Sequence, residues 1–269
     1  MKTDQFNRIT IWLLVAAFAV FFALPFAGLV ERAIRDGRFF ELATGDAALA
    51  ALRLSLITSA VTVAIAIILG TPTAYLLARR RFPGSNLIDA LLDLPIVLPP
   101  TVAGVALLTA FGRRGLLGQP LEEWTGISFV FQTSGVILAQ TLVAAPFYVR
   151  AAKNGFESVD RQLEAVAYTL GASRARTFFQ VVVPQASGAL FAGLVLCWAR
   201  ALGELGATLI FAGSLQGKTQ TMPLAILGAL EGSSLGLSGA IVLSIILLAA
   251  ALALLLLFRL VPQRLGARR

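Results

Sequence analysis

Histidine is absent from the 269 residues of this sequence, and cysteine occurs once. Without histidine the chain lacks the commonest general base and the commonest metal ligand, so we expect neither a catalytic triad nor a zinc site. Cys197 lies inside an apolar run, and a single cysteine cannot form a disulfide within the chain. The sequence therefore predicts no catalytic residue and no metal site.

Charge is also scarce. Only 13% of the residues are charged and 58% are hydrophobic, whereas a soluble domain has about 25% charged residues. The formal net charge is +8, but the basic residues stand at the ends of apolar runs and do not cluster on a polar face, which argues against nucleic acid as a partner. The composition indicates a protein embedded in membrane lipid.

Six apolar stretches are long enough to cross the hydrocarbon as helices, which takes about 20 residues each. The alternating pattern of a transmembrane barrel is absent. The first stretch is too long for a signal-peptide core and is predicted to be retained. The predicted fold class is an all-α polytopic membrane protein, one domain over 1–269 with transmembrane helices at 9–30, 54–78, 94–112, 130–149, 185–212 and 235–258.

The distribution of lysine and arginine predicts the orientation. With the N-terminus inside, the inner segments hold 14 basic residues and the outer loops hold 6. Basic residues are enriched in cytoplasmic loops, so both termini are expected to be cytoplasmic, in a multi-pass protein of the plasma (inner) membrane. The loop 157–184 is then cytoplasmic as well.

Two of the predicted spans contain unusual residues. The stretch 94–112 carries Pro95, Pro99 and Pro100, which cannot donate helical hydrogen bonds, so this helix should be kinked or broken. Freed backbone groups in a membrane face protein or a water-filled cavity. A pathway wall and a simple packing kink remain equally open.

The stretch 185–212 carries Arg200 and Glu204, four residues apart and so on one helical face. Unpaired charge at membrane depth is costly, so the two should neutralise each other or face water. They form either a pair that aids helix packing or an element of a gate, and we favour the gate because ionisable residues inside membranes are usually functional.

The segment 213–219, GSLQGKT, is similar to a phosphate-binding loop but is one residue too short. It also follows a membrane helix and not a strand, and it lies on the predicted outer side, away from ATP. We therefore predict no nucleotide site in this chain, and the energy for any transport must come from a partner.

The loop 157–184 is the longest charged segment between apolar runs. Good helix formers occupy 162–169, Gly171 interrupts them, and Ser173 can cap a second helix that begins near Arg174. Two short helices joined at a glycine would present a docking surface to a soluble partner. The alternative is an amphipathic loop lying on the lipid surface.

From Gly171 the sequence follows the pattern G-x9-V-V-V-P, and Glu164, Ala165 and Ala167 stand upstream. This resembles the signature loop of ABC-importer permeases, E-A-A-x3-G-x9-I-x-L-P, although the glycine lies one residue further from the glutamate. Either Ala165 stands where the family has its glutamate or the helix is shifted by one residue, which leaves the specific role of Glu164 open. The resemblance implies that the loop couples the permease to an ATPase, through Glu164, Ala165, Ala167, Gly171, Arg174 and Pro184.

The resemblance extends over roughly 50–260. The stretches 93–108, 111–118, 199–213 and 218–226 are similar to the permeases of molybdate importers, and the sulfate and tungstate permeases are close relatives. It implies a type I ABC-importer fold with short cytoplasmic coupling helices, and a transport subunit that is not itself an enzyme. The substrate it implies is a tetrahedral oxyanion, with molybdate favoured.

The implied assembly contains two copies of this chain in membrane lipid, two cytoplasmic ATPase subunits and an extracytoplasmic oxyanion-binding protein. The chain would need no cofactor of its own, since the partner uses the ATP. A pathway for a dianion must replace lost water with hydroxyls, amides or basic groups. The candidates by type and position are Thr101, Arg200, Glu204, Thr208, Gln220 and Thr221.

Two other classes remain open. A secondary transporter coupled to protons or sodium usually shows internal repeats and intramembrane acids, and here Glu204 is the one clear candidate acid. A membrane scaffold would need no pathway, and only the prolines of 94–112 and the Arg200–Glu204 pair argue against it.

Overall fold

The computed structural model describes residues 2–233 and 235–266, and their side chains over 10–233 and 235–257. The regular secondary structure of this part of the chain is entirely helical, with no strand, and short loops join the helices. Its elements are α1 (Lys2–Asp36), α2 (Phe39–Ala43), α3 (Asp46–Arg79), α4 (Ser85–Val97), α5 (Pro100–Phe111), α6 (Gly118–Thr125), α7 (Thr133–Ser158), α8 (Arg161–Thr169), α9 (Arg174–Thr177), a π-helical turn (Phe178–Val182), α10 (Val183–Leu202), α11 (Gly206–Ala212), α12 (Met222–Leu230) and α13 (Gly236–Gly266).

Five helical stretches of the described chain are long and apolar enough to cross a membrane. They overlap the predicted spans except the third, but their bounds differ: the second is longer at both ends, and the stretch that matches 185–212 runs from 174 to 202. Their bounds are Thr10–Asp36, Asp46–Arg79, Thr133–Ser158, Arg174–Leu202 and Gly236–Leu257.

The predicted third span, 94–112, is not one helix. The chain is extended at Leu98 and Pro99, with ψ of 141° and 136°, and α5 starts afresh at Pro100 with only 12 residues. This is the break that Pro99 and Pro100 predict, because the residue before a proline disfavours helical backbone angles, whereas Pro95 lies inside α4 without ending it.

The predicted fifth span, 185–212, is also interrupted, and here the expectation of one continuous helix is wrong. α10 ends at Leu202, Gly203 caps it, and α11 begins at Gly206. Glu204 therefore lies between two helices and not on the same helical face as Arg200.

The centre of the bundle is formed by α3, α7 and α10, which cross where small residues allow close approach. A Cβ added to Gly155 of α7 would lie 2.6 Å from the Cβ of Ala189 on α10. One added to Gly193 of α10 would lie 2.7 Å from the Cβ of Ala151 on α7. Larger side chains at these crossings would force the helices apart.

A buried polar stripe runs along α3, at the helical spacing of Ser55, Thr58, Ser59 and Thr62. The Thr58 hydroxyl donates to the carbonyl of Leu54 within α3, and the other three side chains bond to three other helices. The Ser55 hydroxyl accepts from the backbone N–H of Met222 at 2.7 Å, the Ser59 hydroxyl accepts from the indole N–H of Trp198 at 2.9 Å, and the Thr62 hydroxyl donates to Gln140 Oε1 at 3.2 Å. The stripe fixes α12, α10 and α7 around α3.

The bundle has two ends, each identified by contacts between loops. At the first, called the loop end below, the last turn of α3 meets α8 through Arg79 and Glu164. At the second, the far end, the Thr133 hydroxyl at the start of α7 donates to the backbone carbonyl of Lys218 at 2.8 Å.

Candidate functional site

The loop 157–184 has the local structure predicted for it. α8 and α9 are joined by a turn in which Gly171 has φ of +81°, a left-handed conformation that favours glycine. The Ser173 hydroxyl accepts from the N–H of Arg176 at 3.3 Å and so caps α9. The Asp160 carboxylate caps α8 in the same way, accepting from the N–H of Gln162 at 2.9 Å.

Glu164 holds α8 against α3. Arg79 Nη2 lies 2.6 Å from Glu164 Oε1, and the Tyr75 hydroxyl donates to Glu164 Oε2 at 2.9 Å. Arg79 Nη2 also donates to the carbonyl of Val159 at 3.1 Å. The Glu164 and Arg79 side chains are only 11% and 10% exposed, so this ion pair is shielded from water and positions the whole loop.

The outer surface of α8 and its turn exposes a group of apolar side chains. Leu163, Val166, Tyr168 and Leu170 are uncovered there, next to the exposed polar residues Gln162 and Thr169. Ala165 is exposed beside them and Ala167 is half-buried. Exposed apolar side chains grouped on a knob at a helix end are typical of a protein-binding surface.

The loop is continuous with a long helical rod. α9, the π-helical turn and α10 form one helical stretch from Arg174 to Leu202, which spans 29 residues. The π-helical turn ends just before Pro184, at the start of α10. Since proline lacks an N–H and its ring displaces the carbonyl four residues earlier, a wider turn at this point keeps the rod helical. Arg174 at the start of the rod is exposed.

A second cluster of ion pairs at the loop end attaches α4 to α7. Lys153 Nζ lies 2.6 Å from Asp89 Oδ2, and the Arg150 guanidinium makes a bidentate contact with the Asp93 carboxylate. Neither aspartate was among the functional residues predicted from the sequence. Their spacing of four matches one helical face and is the signal that was available.

The two helix breaks meet inside the bundle. α5 packs on α11, and the contact depends on glycines: a Cβ on Gly206 would lie 2.9 Å from Pro100 Cβ, and one on Gly104 would lie 2.7 Å from Ile210 Cβ and 3.1 Å from Ala207 Cα. Thr101 lies at this contact, since its backbone N is 3.4 Å from the same point on Gly206. Two interrupted helices therefore begin side by side, a pattern found at binding sites in transporters.

Arg200 and Glu204 lie at this meeting point and form an ion pair. Arg200 Nη1 is 2.6 Å from Glu204 Oε2. Glu204 Oε1 accepts from the backbone N–H of Ala207 at 2.8 Å, so the carboxylate also caps the first turn of α11. Glu204 is 1% exposed and the Arg200 side chain is 27% exposed. The pair thus joins the end of α10 to the start of α11.

The other predicted pathway residues are distributed between the break and the far end. Thr208 on α11 and Thr221 before α12 are fully buried, and their hydroxyls have no hydrogen-bond partner among the residues that the structure describes. Thr101 is exposed and Gln220 is half-buried. The structure brings Thr101, Arg200 and Glu204 to one place, whereas Gln220 and Thr221 belong to the loop 213–221. In the part of the chain described, Gln220 bonds to Ser214 of the same loop.

That loop closes on itself. Gly213 and Gly217 have left-handed φ of +69° and +73°. The buried Thr219 hydroxyl accepts from the N–H of Leu215 at 2.8 Å and lies 3.1 Å from the carbonyl of Gly213. In the segment that is similar to a phosphate-binding loop, the Thr219 side chain therefore stabilises a turn of the loop itself. Over residues 2–233 and 235–266 no three acidic or cysteine side chains gather as a metal site would require.

These features define a polytopic helical transport subunit, with an apolar knob at one end, a rod that leads into the membrane and a pair of broken helices where the rod ends. The chain belongs to the family described as "Binding-protein-dependent transport system inner membrane component", which it matches over residues 66–267.

Relatives within this family carry specific names. The chain is 42% identical over 207 residues to the molybdenum transport system permease protein ModB of Escherichia coli (strain K12), covering 77% of this chain and 90% of that protein. It is 37% identical over 203 residues to the sulfate transport system permease protein CysW of Synechococcus elongatus, covering 75% of this chain and 71% of that protein.

The fold is similar to that of a bacterial ABC transporter involved in the import of the acidic polysaccharide alginate. The TM-score is 0.77 at 17% identity, with 98% of this chain and 96% of that chain covered. At this identity the likeness shows the fold alone.

Proposed function

We propose that the chain is the permease subunit of an ATP-driven importer for molybdate. The observation that carries the substrate is the 42% identity to a molybdenum permease over 90% of that protein. The count of basic residues supports an orientation with the loop end and both termini in the cytoplasm.

In this proposal the apolar knob of α8 docks on a cytoplasmic ATPase subunit, one for each permease. Leu163, Val166 and Leu170 are available for this, since they are exposed and no other part of the described chain covers them. Two copies of the chain enclose the pathway. The outward side chains of α5 support a second copy, because Val102 and Val105 next to the break are exposed. An extracytoplasmic binding protein delivers the oxyanion to the far end.

The rod Arg174–Leu202 carries the motion of the ATPase to the pathway. At 1.5 Å per residue a helix of 29 residues is about 43 Å long. One end adjoins the docking knob and the other ends at the Arg200–Glu204 pair. Because Glu204 caps α11, a tilt of α10 displaces α11 against α5 and changes the opening between the two copies.

The polar groups at the break suit an oxyanion. Arg200 is partly exposed beside its carboxylate partner, and the buried hydroxyl of Thr208 has no partner within the described chain. Hydroxyls and a partly neutralised guanidinium can replace water around a dianion without binding it so tightly that release becomes slow.

The test is oxyanion uptake into proteoliposomes that contain the permease and its ATPase, supplied with the partner binding protein. We expect molybdate uptake that requires ATP and the binding protein. Uptake of sulfate without molybdate would assign the chain to sulfate import instead. Uptake without the ATPase, driven by a proton or sodium gradient, would favour a secondary transporter, and no uptake under either condition would reject transport.

A further inference from the structure

A polar cavity of about 690 Å³ opens at the loop end, beside the apolar knob of α8 but separate from it. It lies between the last turn of α3, the turn at Gly84 and the first turn of α4, and α7 closes its inner side. Its lining includes the cations Arg80, Arg81 and Lys153, the carboxylates of Asp89 and Glu157, and the apolar side chains of Phe82 and Pro83. A neighbouring cavity of about 540 Å³ shares Arg80 and Arg81 and adds Arg161.

Most charges around this cavity are already paired. Lys153 contacts Asp89 at 2.6 Å and Glu157 at 3.8 Å. Arg79 is occupied by Glu164. By contrast, the Arg80 and Arg81 side chains are exposed and make no ion pair or hydrogen bond within the described residues. The cavity thus presents two adjacent guanidinium groups that have no ion-pair partner within the described residues, while the Asp89 and Glu157 carboxylates on its lining are engaged with Lys153.

The cavity lies at the boundary of the apolar bundle. Arg80 and Arg81 directly follow the long apolar helix α3. Next to them α4 turns its acidic face onto α7 and leaves Leu87, Leu91 and Leu94 outward, 64%, 55% and 48% exposed. A helix that hides its charges and exposes its leucines is stable against lipid tails and not in water. The two arginines are therefore placed at the depth of lipid head groups.

We propose that this cavity binds the phosphate of an anionic phospholipid, with Arg80 and Arg81 on the phosphate and the acyl chains along the outer face of α4. Guanidinium groups match phosphate oxygens in geometry as well as charge. Basic pockets between membrane helices at the surface are suited to anionic head groups. The apolar side chains of Phe82 and Pro83 also line the cavity and can contact the glycerol region of a lipid. An acidic protein partner would not need these apolar contacts.

The test uses the full chain in nanodiscs of equal parts phosphatidylglycerol and phosphatidylcholine, with bound lipid counted by native mass spectrometry after detergent extraction. The double variant Arg80→Gln/Arg81→Gln should retain phosphatidylglycerol about 30-fold less well, because each basic residue near the surface contributes about a factor of five. The matched control is Arg113→Gln/Arg114→Gln, an exposed arginine pair at the far end, which should retain lipid as the unaltered chain does.

Equal retention of phosphatidylglycerol and phosphatidylcholine by the unaltered chain would overturn the proposal, as would equal lipid loss in both double variants. The proposal would also be overturned if Arg80→Gln/Arg81→Gln kept its lipid but no longer co-purified with the ATPase, since the two arginines would then belong to the protein interface. The lipid count needs neither ATPase nor substrate, so it stands independently of the proposed transport function.

Discussion

Glu204 and Arg200 form an ion pair that joins the end of α10 to the start of α11. The carboxylate has two partners, the Arg200 guanidinium at 2.6 Å and the N–H of Ala207 at 2.8 Å. The first neutralises a charge inside the membrane and the second stabilises the start of α11. Replacing either residue leaves the other ionised group without its partner.

Substitution at this pair is expected to slow transport. Glu204→Ala removes a cap that contributes about 1 kcal/mol and leaves Arg200 unpaired at membrane depth, which costs about 3 kcal/mol. Arg200→Ala leaves a buried carboxylate. In both variants ATP-driven oxyanion uptake should fall by about tenfold or more, the effect of a barrier raised by about 1.4 kcal/mol. Uptake is measured in proteoliposomes at equal amounts of assembled complex.

Arg53→Ala is the matched control, because Arg53 is an exposed arginine on the membrane helix α3. It should transport normally. Glu204→Gln keeps an oxygen for the N–H of Ala207 but loses the charge, so its uptake should lie between those of Glu204→Ala and the unaltered chain. Normal uptake by both alanine variants would exclude the pair from the gate.

At the scale of elements, the turn between α8 and α9 carries a sharp prediction. Gly171 has φ of +81° and its N–H donates to the carbonyl of Tyr168 at 3.0 Å. Proline fixes φ near about −65° and has no N–H, so Gly171→Pro cannot keep this turn. ATP hydrolysis by the assembled complex should continue while oxyanion uptake is lost, and the ratio of the two rates measures the uncoupling.

Gly188→Ala provides the comparison for this variant. Gly188 lies in α10, and an added Cβ there would meet no atom within 4 Å. The ratio of hydrolysis to uptake should remain that of the unaltered chain. If Gly171→Pro also leaves the ratio unchanged, the loop is not the coupling element.

These elements also show what the sequence could predict. The break at Leu98–Pro99, the turn at Gly171 and the cap at Ser173 follow from local backbone chemistry, and all three are present. The break at Gly203 was missed because a glycine inside a membrane helix does not by itself end the helix. The close approach of Gly206 to Pro100 at the start of α11 is a tertiary contact that the sequence does not reveal.

Contacts between distant residues were beyond the same reasoning. Tyr75 precedes its partner Glu164 by 89 residues. The contact by which Glu164 anchors the loop to α3 therefore became visible only in the folded structure. The buried stripe from Ser55 to Thr62 had a visible signal in its spacing. Its partners Trp198 and Gln140 carried no comparable signal.

At the scale of the whole molecule, the arrangement depends on which end of the bundle faces the cytoplasm. The loop end holds the apolar knob of α8 and the arginines 79–81, and the far end holds α6 and the loop 213–221. The bundle is well suited to a labelling test, because its single cysteine, Cys197, is fully buried and should not react with a polar maleimide. Any label on an engineered variant then reports the new position alone.

We therefore expect opposite labelling from two single-cysteine additions. Thr169→Cys lies on the exposed end of α8 and Gln119→Cys on the exposed surface of α6. In intact cells a membrane-impermeant maleimide that reaches the periplasm should label Gln119→Cys and spare Thr169→Cys, and in inverted vesicles the pattern should reverse. The excess of basic residues at the loop end predicts this result, because lysine and arginine are enriched in cytoplasmic loops. The reverse pattern would place the knob outside, where no cytoplasmic ATPase could reach it, and would remove the basis for the proposed coupling.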